Sequence, residues 1–338
     1  MEPDELSENV ANQPVPITAS FPIDPAGGVL VAQGAGTCNS CSGSIESNSD
    51  VLGTNPYSYV YAVGQIEMRF PSLAVEKEFA QATGRAETTG LTDRGAMHNI
   101  LTLRENRYLV RQLCWLLTIE GLETYILAPR DSLDYEQLIE AVRPTPRRTD
   151  VDVVIGVRGS IASPSMCNGL MVPIVTFDQI YSFDSDSFIN EISGAIRAEP
   201  GVGEEAEGSK RRRRKNGNQE AGRNITATAE DLFNRIVQVS DNAGATDEHR
   251  ALNYLATRYP EIYRLTSERF NEDFSLTEVS VQPSRLSSTR KIVTVIFTFS
   301  PRFGAATGVY GVEQYFVRVD VTEEFPFLVS PLQKGFIR

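Results

Sequence analysis

Three observations predict an α+β fold. Strand-like and helix-like periods interleave between residues 57 and 190. Three β-rich runs follow one another between 276 and 321. Two stretches, 1–56 and 198–226, break both patterns. They divide the 338 residues into a flexible N-terminal arm (1–56), an α/β-like subdomain with a mixed sheet (57–197), a disordered linker or insertion (198–226) and a smaller subdomain of helices plus an antiparallel meander (227–338).

Each element has a local reason. The arm is rich in Pro, Gly, Ser and Asn and has no sustained apolar period. Tyr59 to Phe70 reads as a strand ending at Pro71. Ser72 is placed as the N-cap of a helix to about Thr83, with Leu73, Val75, Phe79 and Ala82 on one face. Thr92-Asp-Arg starts a longer helix to about Ile119, with Leu101, Leu109, Leu113, Leu116 and Leu117 as its stripe. Glu123–Ala128 is a short buried strand, and Tyr135–Val142 a helix that stops before Pro144. The apolar runs Val151–Val157, Val172–Phe177 and Ile180–Phe183 suggest strands covered on both faces. The segment 198–226 carries five glycines, an acidic patch and Lys210–Lys215 (K-R-R-R-R-K), which reads as a solvated loop. Thr228–Ser240 and Asp247–Tyr259 are amphipathic helices. Leu276–Val281, Lys291–Phe299 and Val312–Val321 supply the meander.

Charge narrows the function classes. A net charge of −12 argues against a general nucleic-acid binder. No segment has the ~20 apolar residues of a membrane span, and the acidic start M-E-P-D-E-L is no secretory signal. A cytoplasmic, reducing location follows, where four cysteines point to metal or core packing more than to disulfides.

The chemistry-bearing residues are few. Cys38 and Cys41 form a C-x2-C knuckle that, with Cys114 and Cys167, makes a candidate four-cysteine structural zinc site. Inert buried cysteines and a redox-active C-x-x-C are the alternatives. His98 and His249 read as surface or helix-contact residues. No G-x-S-x-G elbow, P-loop or complete dinucleotide turn is present. Glu67, Glu76 and Glu78 are candidate acid/base groups. Arg104, Arg107 and Arg111, at helical spacing, form a basic stripe suited to an acidic peptide or to a salt-bridged surface.

Four stretches carry a family resemblance. The run from Tyr59 to Pro129 includes Y-V-Y-A-V-G-Q-I-E-M-R-F-P and R-Q-L-C-W-L-L-T-I-E-G-L-E-T-Y-I-L-A-P. It is joined by D-V-V-I-G-V-R-G from Asp152, D-N-A-G-A-T-D-E-H-R-A-L-N-Y-L from Asp241 and Y-F-V-R-V-D-V-T-E-E-F-P-F-L-V from Tyr315. The sequence resembles the C-terminal domain of unknown function of the cyanobactin maturation proteases, the PatA/PatG family. The larger members carry a subtilisin-like protease, and nothing here resembles its Asp, His or Ser motifs. The resemblance implies a pathway, ribosomal peptide maturation. The expectation is a non-catalytic, zinc-stabilised accessory domain binding a precursor peptide or a pathway enzyme such as the protease, with a homodimer also allowed. The alternative is a peptide-modifying enzyme using Glu67 and the Arg104/Arg107/Arg111 stripe.

Overall fold

The computed structural model describes residues 58–84, 94–198, 225–239, 241–284, 289–302 and 311–335. Cys38, Cys41 and the whole 1–56 arm lie outside these residues, as does nearly all of the 198–226 segment.

Five strands close a barrel: β1 (Ser58–Arg69), β2 (Cys114–Ile119), β3 (Leu122–Pro129), β4 (Asp150–Ile161) and β5 (Pro173–Asp184), in the order β1-β2-β3-β5-β4. Every pairing is antiparallel except β3 with β5. Alternation divides β1 between two cores. Val60, Ala62 and Ile66 join the main cluster, with Trp115, Leu127, Val154 and Phe177. Tyr61 and Val63 meet Val153, Ile155 and Tyr254 on the other side. The helices α1 (Leu73–Ala82), α2 (Arg94–Thr102), α3 (Arg107–Gln112) and α4 (Asp134–Ala141) add Phe79, Leu101, Leu109 and Leu138 to the main cluster. Ser72 caps α1, its side chain accepting from the Val75 N–H, as its sequence position predicts.

The expected long helix from Thr92 to Ile119 is instead three pieces. Leu103 is extended after α2, a 3-10 turn spans Arg104–Asn106, and α3 ends where Leu113 turns extended (φ −71°, ψ 149°). The buried Asn106 amide donates to the Ile100 carbonyl at 3.1 Å and stabilises the break. The next six residues, Cys114 to Ile119, are all buried as β2 between β1 and β3. An apolar run with no polar face suits a strand covered on both sides. Cys114 therefore sits on a strand. Likewise the two runs around Val172–Phe183 are one strand. Across from them, Ile155 pairs with Gln179 and Gly156 with Phe177, so Asp178 bulges out of register.

The second core is built by α5 (Ser185–Ala198), α6 (225–237), α7 (Asp247–Arg258) and α8 (Glu261–Asn271) against an antiparallel meander. Its strands, β6 (Phe274–Pro283), β7 (Ile292–Pro301), β8 (Glu313–Asp320) and β9 (Phe327–Lys334), pair in sequence order. Ile192, Leu232, Phe233, Leu255, Val295, Phe297 and Val317 fill the space between helices and sheet. The architecture is α+β. α5, α8 and β9 are additional to the elements expected from the sequence.

The loop after α6 fastens this core to the barrel. Gly244 offers its carbonyl to the Tyr61 N–H at 2.9 Å, and Ala243 offers its own to the Tyr125 hydroxyl at 2.8 Å. From α7, the fully buried Asn253 amide donates to the Tyr61 carbonyl at 2.8 Å and also bonds the Asn242 side chain at 2.7 Å. Both polar groups of the Tyr61 backbone are thus paired from the later half of the chain.

Candidate functional site

A cleft of about 670 Å³ opens beside β1. Gln65 and Glu67 come from β1, Arg94 is the first residue of α2, and Pro144, Thr145, Pro146, Arg147 and Arg148 form the far wall. The wall follows from the sequence R-P-T-P-R-R. Pro144 cannot continue α4, and two prolines fix φ along the segment.

Charge in the cleft is unevenly satisfied. Arg147 pairs with Asp184 at 3.1 Å, and its N–H donates to Asp150 at 2.7 Å. Asp150 also pairs with Arg143. Burial works against ionisation of Asp184, but hydrogen bonds from Thr149, the Asp186 N–H and Arg147 hold its carboxyl below the ordinary range. Arg94 lies 3.6 Å from Glu67, beyond good hydrogen-bonding distance. Arg148 is exposed and has no ion-pair partner among the described residues. The Gln65 amide donates to the Asp150 carbonyl at 3.0 Å. Beneath, Asp152 is 4% exposed and accepts from the Ile66 N–H and the Ser182 hydroxyl, each at 2.6 Å. Burial pushes its carboxyl up.

Of the residues named from the sequence, Glu67 lines this cleft. Arg104, Arg107 and Arg111 do not. Arg104 is exposed in the 3-10 turn, Arg107 pairs with Glu136 of α4 at 2.6 Å, and Arg111 is exposed on α3. His98 lies on α2 and His249 on α7, each with a buried Nδ1 that has no hydrogen bond among the described residues. Burial lowers the His249 pKa. Cys114 and Cys167 meet as a disulfide, Cα–Cα 5.8 Å, that ties the start of β2 to the loop between β4 and β5. Among the described residues no group of three or more His, Cys, Asp and Glu is arranged to hold a metal. The residues the sequence reading missed are Arg94, Arg147 and Arg148. The signal for Arg147 and Arg148 was the basic, proline-interrupted run at 143–148.

Residues 219–334, from α6 through β9, match the family described as PatG C-terminal. Over that segment the chain is similar to a PatG-type C-terminal domain. A solved structure named PatG Domain of Unknown Function is similar with a TM-score of 0.62 and 20% sequence identity, over 82% of this chain and 98% of that one. The shared fold thus extends beyond the PatG C-terminal match into the barrel. No curated protein matches the sequence.

The PatG C-terminal segment also contributes a charged seam with the barrel. Arg250, 2% exposed, donates to the backbone carbonyls of Val321 at 2.7 Å, Glu324 at 3.1 Å and Glu323. Its guanidinium lies over the Tyr59 ring, 5.3 Å from the centroid. Nearby, Glu324 neighbours the bulged Asp178, and Arg130 reaches both, at 2.6 Å to Asp178 and 3.7 Å to Glu324. Burial, then the neighbouring Asp178 carboxylate, raises the Glu324 pKa to about 7.

Proposed function

We propose that the chain is an accessory binding domain of a cyanobactin-type ribosomal peptide pathway. It holds a precursor peptide or a pathway enzyme such as the protease and leaves the peptide chemically unchanged. The PatG C-terminal match supports the pathway. The cleft of Gln65, Arg94 and the Pro144–Arg148 wall is the single observation that carries binding, because its guanidinium groups can take carboxylates through charge-assisted hydrogen bonds.

On this reading zinc has a structural part. Cys114 and Cys167 already bring their sulfurs to one place. Reduced, the two thiolates would supply half of a tetrahedral site, and Cys38 and Cys41, at C-x2-C spacing, the other half. Such a site is closed to substrate.

Glu67 in the cleft beside Arg94 favours a second reading, a peptide-modifying enzyme with Glu67 as acid or base. One experiment separates the two. The purified chain is incubated with candidate precursor peptides, with and without the pathway's protease, while binding and peptide mass are followed. Binding without mass change, or processing altered only when the protease is present, is expected. A mass change made by the chain alone and abolished by Glu67→Gln overturns the accessory reading.

A further inference from the structure

The protein is acidic overall, −12, yet its 670 Å³ cleft presents three arginines against one carboxylate. Those arginines are not equivalent. Asp184 occupies Arg147 at 3.1 Å, which makes that residue part of the wall. Arg94 is held by Glu67 only at 3.6 Å, a contact a better-placed carboxylate can displace. Arg148 has no described partner. The floor adds a backbone reader. The Gln65 nitrogen is committed to the Asp150 carbonyl, so its Oε1 is left to accept a peptide N–H. Pro144 and Pro146 hold the opposite wall in place before any ligand arrives, which lowers the ordering cost of binding.

We infer that this cleft is a binding site for an acidic peptide segment in extended form. One carboxylate sits on Arg148, a second takes Arg94 from Glu67, and Gln65 fixes the register through the peptide backbone. The inference rests on the binding reading above and gives it a ligand class and a location, away from Arg104, Arg107 and Arg111. Each engaged guanidinium makes a charge-assisted, two-pronged contact, so its loss weakens binding about tenfold. Because the site is open, added salt weakens it too.

The test uses fluorescence anisotropy of a fluorescein-labelled hexaglutamate peptide titrated with the full chain. Arg148→Gln and Arg94→Gln are each expected to raise Kd about tenfold, the double variant more, and Arg111→Gln, on exposed α3, to leave it unchanged. Arg148 is exposed and carries the test alone if Arg94→Gln lowers the thermal midpoint. No binding of hexaglutamate, equal binding of hexaserine, an unaffected double variant, or a loss in Arg111→Gln as large as in Arg148→Gln overturns the inference. Full displacement by inorganic phosphate overturns the peptide class in favour of a small-anion site. If a precursor peptide binds independently of Arg94 and Arg148, this inference fails and the accessory reading stands. If hexaglutamate binds and no precursor does, the site stands and the pathway reading fails.

Discussion

Replacing Gly244 with Ala tests how the two cores are joined. Gly244 has φ +69°, and a Cβ added there would stand 2.6 Å from the Ala62 Cα and 2.7 Å from the Tyr61 carbonyl carbon. Both are β1 backbone, which cannot swing aside as a side chain would. The left-handed conformation alone costs an alanine about 1 kcal/mol. Relieving the overlap lifts the loop from β1 and loosens two hydrogen bonds, Tyr61 N–H to Gly244 and Tyr125 Oη to Ala243, at about 1 kcal/mol each. The expected total is about 3 kcal/mol. Gly84→Ala is the control, because Gly84 has the same φ of +69° with nothing among the described residues within 4 Å of the added carbon. It should lose only the conformational part, about 1 kcal/mol. Urea unfolding followed by the emission of the single tryptophan, Trp115, buried in the barrel, reads both variants. Equal losses in Gly244→Ala and Gly84→Ala would refute the close approach.

Arg250→Met should destabilise by about 3 kcal/mol in the same assay, because it strands the buried Val321 carbonyl and the part-buried carbonyls of Glu323 and Glu324. A loss within about 0.5 kcal/mol would show that water replaces the guanidinium. Glu324 is raised from an ordinary 4.5 to about 7, so the folded chain keeps a proton that the unfolded chain releases. Its contribution is fully present below about pH 4.5 and is lost as pH rises through about 7, and Glu324→Gln should flatten that part of the stability–pH curve. The Cys114–Cys167 disulfide spans 53 residues of chain, so reduction with a chelator present should lower stability by about 4 kcal/mol. Zinc added to the reduced chain should restore most of it, with about one zinc per chain by metal analysis. Recovery without bound metal would separate the cysteines from zinc.

Local chemistry was legible in the sequence wherever it acts over a few residues. Ser72 caps α1, Pro71 follows β1, and the alternation of β7 and β8 matches their pairing. The 92–119 stretch misled because Leu109, Leu113, Leu116 and Leu117 fit a helical period by chance. What makes Cys114–Ile119 a strand is its pairing with β1 and β3, which no local window contains. Pro331 hid β9. A proline argues against an interior strand but is tolerated on this edge, where β9 pairs on one side only. The cleft was the least legible part, since Gln65, Arg94 and Arg148 come from three segments that only barrel closure brings together.

The pairing of Tyr61 sets an order on the molecule's birth. β1 leaves the ribosome first, and its antiparallel neighbour β4 places Arg158 opposite Ser58 a hundred residues later. The amide that receives the Tyr61 carbonyl, on Asn253, is 192 residues downstream. Until that residue is made, a strand buried in the finished protein keeps an unpaired backbone step and an uncovered aromatic ring. A nascent chain halted after β5 therefore displays a sticky seam at Tyr61, Val63, Val153 and Ile155 that α7 would otherwise seal.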